Sequence, residues 1–158
     1  MKVEKVQESD INTLTELRME YLVEDHGSLR DEDRNRILDS LPEYFRAHLN
    51  RDLFCFVVRE GSDIVSCAFL LVVEKPMSPA FINGRTGTVL NVYTRPAYRR
   101  RGYAGAVMKQ LIEDAEELDL SVVELKATDA GYPLYRSVGF TDDDSGYHLM
   151  KRRSRKHL

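Results

Sequence analysis

Residues 88 to 106 read Thr88-Val89-Leu90-Asn91-Val92-Tyr93-Thr94-Arg95-Pro96-Ala97-Tyr98-Arg99-Arg100-Arg101-Gly102-Tyr103-Ala104-Gly105-Ala106, and this stretch decides the fold. Thr88 to Tyr93 is rich in β-formers and reads as a short strand. Thr94 to Arg101 is a basic turn. Ala104 to Leu118 then places Val107, Met108, Leu111, Ile112, Ala115 and Leu118 at helical spacing. A further strand is predicted over Ser121 to Ala127. Strand, helix and strand make a β-α-β unit, because parallel strands need a crossover between them.

The turn inside this unit carries the chemistry. Backbone N–H groups at a helix start have no internal acceptor, and the helix dipole adds partial positive charge, so such a turn binds phosphate. Gly102 has no side chain to block the approach and can take a positive φ. Ala104 and Gly105 keep the first turn slim, and Arg99, Arg100 and Arg101 add forked donors. A strand–helix loop with solvated arginines is the bland alternative. The Rossmann GxGxxG and the P-loop GxxxxGK[ST] are both missing from the chain.

Outward from this unit, Val3 to Val6 reads as a first strand. Ser9 or Asp10 caps a helix whose Ile11, Leu14, Leu17, Tyr21 and Leu22 keep helical spacing, with Gly27 after it. A second helical region runs from Asp31 to Leu49, and Ser40-Leu41-Pro42-Glu43 reads as a capping box at which it restarts. Leu53 to Arg59, the turn Glu60-Gly61-Ser62-Asp63 and Ile64 to Val73 form a hairpin. On that hairpin Cys55 and Cys67 are expected opposite each other as reduced core thiols. Lys75 to Gly87, with two prolines and two glycines, is a loop long enough to suggest function. Pro133 to Val138 is a short helix, and Phe140 with Tyr147 to Met150 a closing hairpin.

The chain has 158 residues, 42% of them hydrophobic and 31% charged, which suits one globular domain over residues 1–150. The longest apolar run, Ile64 to Val73, is too short for a bilayer. The N-terminus lacks a secretory apolar segment, so a cytoplasmic location is expected. Two cysteines make no disulfide framework, and no motif suggests a metal. Net charge is −3, yet residues 151–158 form a basic tail with five lysines and arginines; without it 18 bases face 26 acids, and the body stands at −8. An acidic body speaks against a specific nucleic-acid partner and suits a cationic substrate such as an amine.

Arg99-x-x-Gly102-x-Ala104 resembles the [Q/R]-x-x-G-x-[G/A] signature of the GNAT superfamily of N-acetyltransferases. Leu134-Tyr135-Arg136-Ser137-Val138-Gly139-Phe140, about 30 residues on, resembles the family's LYxxxGF ending, and the order of elements matches over nearly the whole chain. The resemblance implies an α+β fold with a central mixed sheet, splayed parallel strands around the β-α-β site, and helices on both faces. It implies acetyl-CoA as cosubstrate, with its diphosphate on the amides of Arg99, Arg100, Arg101, Gly102, Tyr103, Ala104 and Gly105. It places the pantetheine arm against Val92, Tyr93 and Thr94, with Val92 N–H at the thioester oxygen. Thr128 stands where many relatives carry an Asn, and Tyr135 where many use a tyrosine as acid toward the departing sulfur.

Tyr135 otherwise reads as a core tyrosine, and Tyr132 as a pocket wall. Some relatives carry a Glu on the first splayed strand, where this chain has Thr88, which is no base. Water, Glu24, Asp25, His26 or Glu74 remain as the base. Acceptor contacts implied by the family fall in Tyr21 to Arg30, Tyr44 to His48 and Lys75 to Arg85, with Asn91 facing the acceptor. The expected partners are a small-molecule or peptide amine and, as in many relatives, a second copy in a homodimer. No membrane partner is expected. A non-catalytic acyl-CoA-binding sensor is the alternative from another class.

Overall fold

A computed structural model describes residues 1–157. In chain order the elements are β1 (Val3–Lys5), α1 (Ile11–His26), α2 (Asp31–His48), β2 (Leu53–Glu60), β3 (Asp63–Glu74), β4 (Arg85–Thr94), α3 (Tyr103–Glu117), β5 (Val122–Glu124) and α4 (Tyr132–Ser137). The sheet order is β1-β2-β3-β4-β5. Strands β1 to β4 pair antiparallel, and β5 joins β4 in parallel. This is the mixed α+β sheet expected from the sequence.

Helices cover both faces, which explains why β2 and β3 read as near-continuous apolar runs instead of alternating ones. Cys55 and Val57 point to the face where Ile11, Leu14, Leu17 and Phe45 of α1 and α2 pack. Phe56 and Val58 point the other way, against Tyr103, Val107, Met108 and Leu111 of α3. Helix α3 thereby carries the crossover from β4 to β5 and fixes where its own N-terminus lies.

Several local expectations change. Helix α2 runs unbroken through Pro42. Proline removes only its own N–H, and Leu41, Phe45 and Leu49 hold the segment against the core across that position. Asp10 makes no side-chain cap on α1; its carboxylate instead accepts from Gln7 N at 3.0 Å and Arg59 Nη2 at 2.9 Å. Cys55 pairs with Phe69 and Cys67 with Val57, so the thiols sit diagonally, both free and buried. The strand expected over Ser121 to Ala127 shrinks to Val122–Glu124.

The closing hairpin does not form. Residues 141–150 make no strand, and Tyr147, Leu149 and Met150 are exposed. Asp142, Asp143 and Asp144 concentrate like charge there. Asp143 also turns the chain locally, accepting from Ser145 N and Oγ at 3.0 Å each.

Candidate active site

The site begins with an irregularity in β4. Phe69 pairs with Leu90 and Cys67 with Tyr93, so Asn91 and Val92 together oppose Ala68. Asn91 takes a positive φ of 53°, a left-handed conformation that asparagine tolerates better than most residues. Strand β5 reaches only Thr86, Gly87 and Thr88 of β4. Beyond Thr88 the two strands part, and among the described residues the β5-side edge of Val89 to Thr94 carries no partner strand. The bulge and the splay open the cleft.

At the end of that edge the chain turns into α3. Arg100 has φ 64° and Gly102 φ 83°, two left-handed residues that swing the backbone around. Among the described residues the six consecutive amides of Arg100, Arg101, Gly102, Tyr103, Ala104 and Gly105 donate to no acceptor in the chain, and the first helical bond is Ala106 N to Gly102 O at 3.1 Å. A Cβ built on Gly102 would meet nothing within 4 Å, so the space before the loop is open. Unfilled amides, a helix N-terminus and two exposed arginines, Arg100 and Arg101, fit a diphosphate. Two of the signature's side chains are committed elsewhere. Tyr103 is buried against the sheet, with its hydroxyl donating to Glu60 Oε1.

Arg99 is the other. Its guanidinium makes a two-pronged pair with Glu24 at 2.8 and 2.7 Å, bonds Thr94 O at 2.8 Å, and lies over the Tyr93 ring at 5.6 Å. Its amide donates to Pro96 O at 3.4 Å. Arg99 therefore ties the loop to α1, and the partnerless amides begin one residue later than expected.

Tyr135, on α4, packs beside Phe140 in the α3-side cluster with Val92. Its hydroxyl bonds to no group among the described residues, and no buried side-chain polar atom there lacks a partner, so it opens on solvent. Burial pushes its pKa above the usual phenol value, and Tyr21 adds to this. The phenol stays protonated at neutral pH, as a donor must. Gly131 makes room for it: a Cβ there would stand 2.9 Å from Tyr135 Cε2. Thr128 lies in the turn before α4, its Oγ1 accepting from Gly131 N at 3.1 Å and its carbonyl from Tyr132 N at 2.9 Å. Tyr132 is partly exposed, and its hydroxyl donates to Asp142 at 2.9 and 3.0 Å.

On the opposite face of β4, Asn91 is buried and does not itself face the cleft. Its Oδ1 accepts from Arg18 Nη1 at 3.2 Å, and its Nδ2 lies 3.5 Å from Cys67 Sγ. Arg18 escaped the sequence reading. The signal was there, since it lies four residues after Leu14 and seven after Ile11, a charge on the apolar stripe of α1. Glu24 is held by Arg99, and Glu74 is bonded to Arg85 at the far end of β4. Asp25 is the candidate carboxylate whose charge reaches both Tyr21 and Arg18. The Lys75 to Arg85 loop leads into the start of β4, about 20 Å of strand from Asn91. Asn83 pins it to the turn after α3, donating to Asp119 O at 2.7 Å. A concavity of about 310 Å³ beside Arg51, Phe54 and Glu74 also lies at that far end. The cleft between the splayed strands is open rather than enclosed. Among the described residues no group of three or more His, Cys, Asp or Glu could hold a metal.

A helix start with unfilled amides beside a parted pair of parallel strands, and a tyrosine hydroxyl without a partner among the described residues, suit an acyltransferase. The family model for the acetyltransferase (GNAT) family matches residues 11–140, and the chain belongs to that family. Among solved structures, a predicted acetyltransferase with acetyl-CoA from Clostridium acetobutylicum is 29% identical, with TM-score 0.81 over 94% of this chain and 95% of its own. A ribosomal-protein-alanine N-acetyltransferase from Brucella melitensis biovar Abortus shares the fold at 21% identity and TM-score 0.68, over 96% of this chain and all of its own. Glucosamine-6-phosphate N-acetyltransferase from Arabidopsis thaliana does so at 16% identity and TM-score 0.69, covering 97% of this chain and 98% of its own. No curated protein matches significantly.

Proposed function

We propose that this chain transfers the acetyl group of acetyl-CoA to a primary amine by direct attack, with both substrates bound at once. The observation that carries the reading is the run of six amides without acceptors around Gly102. When bound, acetyl-CoA supplies an acyl carbon activated as a thioester. The amides of Arg100 to Gly105 and the guanidinium groups of Arg100 and Arg101 hold the diphosphate. The open edge of β4 at Val92, Tyr93 and Thr94 pairs with the pantetheine arm, and Val92 N–H faces the oxygen on which charge builds. Thr128 keeps its hydroxyl proton free for the same arm.

Tyr135 gives its proton to the sulfur as the C–S bond breaks. That transfer runs uphill, from a phenol near 10 raised further by burial to a thiolate near 8.5, so it depends on positioning. The attacking amine must be neutral, and Asp25 or a water beside it takes the displaced proton. The whole arrangement is one catalytic domain over residues 1–150 with a basic tail over 151–158, of which Leu158 lies outside the described residues. We place it in the cytoplasm, a setting that suits two free thiols; among the described residues no helix is long and apolar enough to cross a membrane. A second copy as partner is supported by exposed Tyr147, Leu149 and Met150.

Calorimetry with acetyl-CoA and thiol release over an amine panel test the reading. Binding with turnover, reduced at least tenfold in kcat by Tyr135→Phe, is expected; full activity in that variant refutes the acid role. Binding without turnover favours the sensor reading, which the absence of a β4 carboxylate supports. A purely monomeric species on sedimentation removes the second copy.

A further inference from the structure

Arg18 stands apart from the other arginines of the chain. Among the described residues, each arginine without a carboxylate within 4.0 Å is exposed, Arg18 excepted. It is half-buried between α1 and β4, with its guanidinium carbon 5.7 Å from the centre of the Tyr21 ring. It donates one hydrogen bond, to Asn91 Oδ1. A guanidinium has five N–H donors, so four go without a partner among the described residues. None of its nitrogens is sealed from solvent unsatisfied. Those donors therefore reach solvent beside Asn91, on the α1 face of β4. Burial favours the neutral form and pulls the pKa of Arg18 below its ordinary value, against the pull of Tyr21, Tyr44 and Asp25.

Packing alone gives no reason for this arrangement. An uncompensated charge on an apolar helix face costs stability, and a leucine or methionine would fill the same space. Instead Asn91 is turned inward by its positive φ and holds the guanidinium by one corner. The grip sits one residue before Val92, within about 10 Å of its backbone on chain dimensions. The neighbouring acids of α1 are otherwise engaged, Glu20 with Arg95 at 3.3 Å and Glu24 with Arg99.

We propose that the acceptor is a primary amine bearing its own anionic oxygen group, a carboxylate or a phosphate, and that Arg18 clamps that group with its free N–H fork. This rests on the acetyl-transfer reading above and names its substrate class. It separates amino acids, peptides with a reachable carboxylate and amino-sugar phosphates from polyamines and unphosphorylated amino sugars. The acidic body still attracts the ammonium end of such a molecule, while Arg18 fixes the other end.

The test compares matched pairs on the full chain by acetyl-CoA-dependent thiol release. Free amino acids are set against their carboxamides, glucosamine 6-phosphate against glucosamine, and spermidine serves as a cationic control. We expect the anionic member of at least one pair to exceed its partner at least tenfold in kcat/KM, and the pair that does so names carboxylate or phosphate. Arg18→Ala should remove that preference, mostly through KM, leaving the neutral partner's rate and the acetyl-CoA affinity within twofold. Arg18→Lys should restore part of the preference, which controls for a folding defect in the alanine variant. Preferred turnover of spermidine or neutral amines, unchanged in both variants, overturns the proposal and leaves acetyl transfer standing. Absence of acetyl-CoA binding by the unmodified chain overturns both.

Discussion

Placing a glutamate at Gly102 tests the diphosphate cradle most directly. The position has φ 83° and ψ 8°, so any side chain there adopts a left-handed conformation costing about 1–2 kcal/mol. That strain is the same with and without cosubstrate, so it lowers stability but cancels from the affinity. Gly102→Ala therefore serves as the reference for Gly102→Glu. The Cβ points into open space, so both variants fold around an undisturbed neighbourhood. A carboxylate there would lie roughly 6 Å from a phosphate on the amides. One such pair of charges repels by about 0.7 kcal/mol in bulk water and about 3 kcal/mol at the effective dielectric of a protein surface.

With two phosphate charges, Gly102→Glu should bind acetyl-CoA ten- to a thousandfold more weakly than Gly102→Ala, about 1.4 to 4 kcal/mol. Calorimetry at 20 mM and 1 M NaCl measures it, and the gap should narrow at high salt, where screening acts over about 3 Å. Thermal unfolding should drop by a similar amount in both variants. If the two variants bind within twofold of each other at low salt, the amides around Gly102 do not hold the diphosphate.

Two further predictions follow from particular contacts. Gly131→Ala is allowed by its backbone, at φ −83° and ψ −21°, but brings a methyl 2.9 Å from Tyr135 Cε2; kcat should fall about 10- to 100-fold as the ring shifts, with acetyl-CoA affinity within twofold, and an unchanged kcat would remove Tyr135 from the chemistry. Burial pushes the Cys67 thiol up to about 12 from an ordinary value near 9.0. A raised acid pKa contributes stability fully present below pH 9, which is lost as pH climbs toward 12, at about 1.4 kcal/mol per unit for that group. Urea midpoints between pH 8 and 11 should decline less steeply in Cys67→Ala than in the unmodified chain, whose Cys55 thiol is raised as well; parallel declines would refute the assignment.

How much of this was legible in the sequence depends on the range of the interaction. The β-α-β unit and the loop at Gly102 were readable because helix spacing, strand composition and the needs of a phosphate are local properties. The apolar runs of β2 and β3 marked buried strands in the same way, whereas helices on both faces were implied by the family resemblance. Pro42 misled because tertiary packing of Leu41, Phe45 and Leu49 outweighs one lost N–H. Tyr147 to Met150 misled because their apolar pattern does not say whether a strand edge is there to receive it. The pairs that shape the site span long separations: Arg99 with Glu24 is 75 residues apart in sequence and Arg18 with Asn91 73. No local rule supplies such pairs.

The bulge in β4 joins the two halves of the proposed reaction. Along an ordinary strand, consecutive side chains face opposite sides of the sheet. Here the extra residue keeps Asn91 on the face that Leu90 already occupies, where it holds Arg18, while Val92, next in the chain, packs toward α3 and Tyr135. The acceptor clamp and the thioester contact are then built from adjacent residues of one strand, on either side of a single layer of backbone. That proximity favours direct attack over a covalent acetyl-enzyme, since the only two thiols are buried and one is held near pKa 12. It also predicts that a residue unable to take φ 53° would disturb both substrates together. Asn91→Val should raise KM for amine and weaken acetyl-CoA in the same variant, whereas Arg18→Ala affects the amine alone. Loss of one without the other in Asn91→Val would mean that the bulge does not link the two sites.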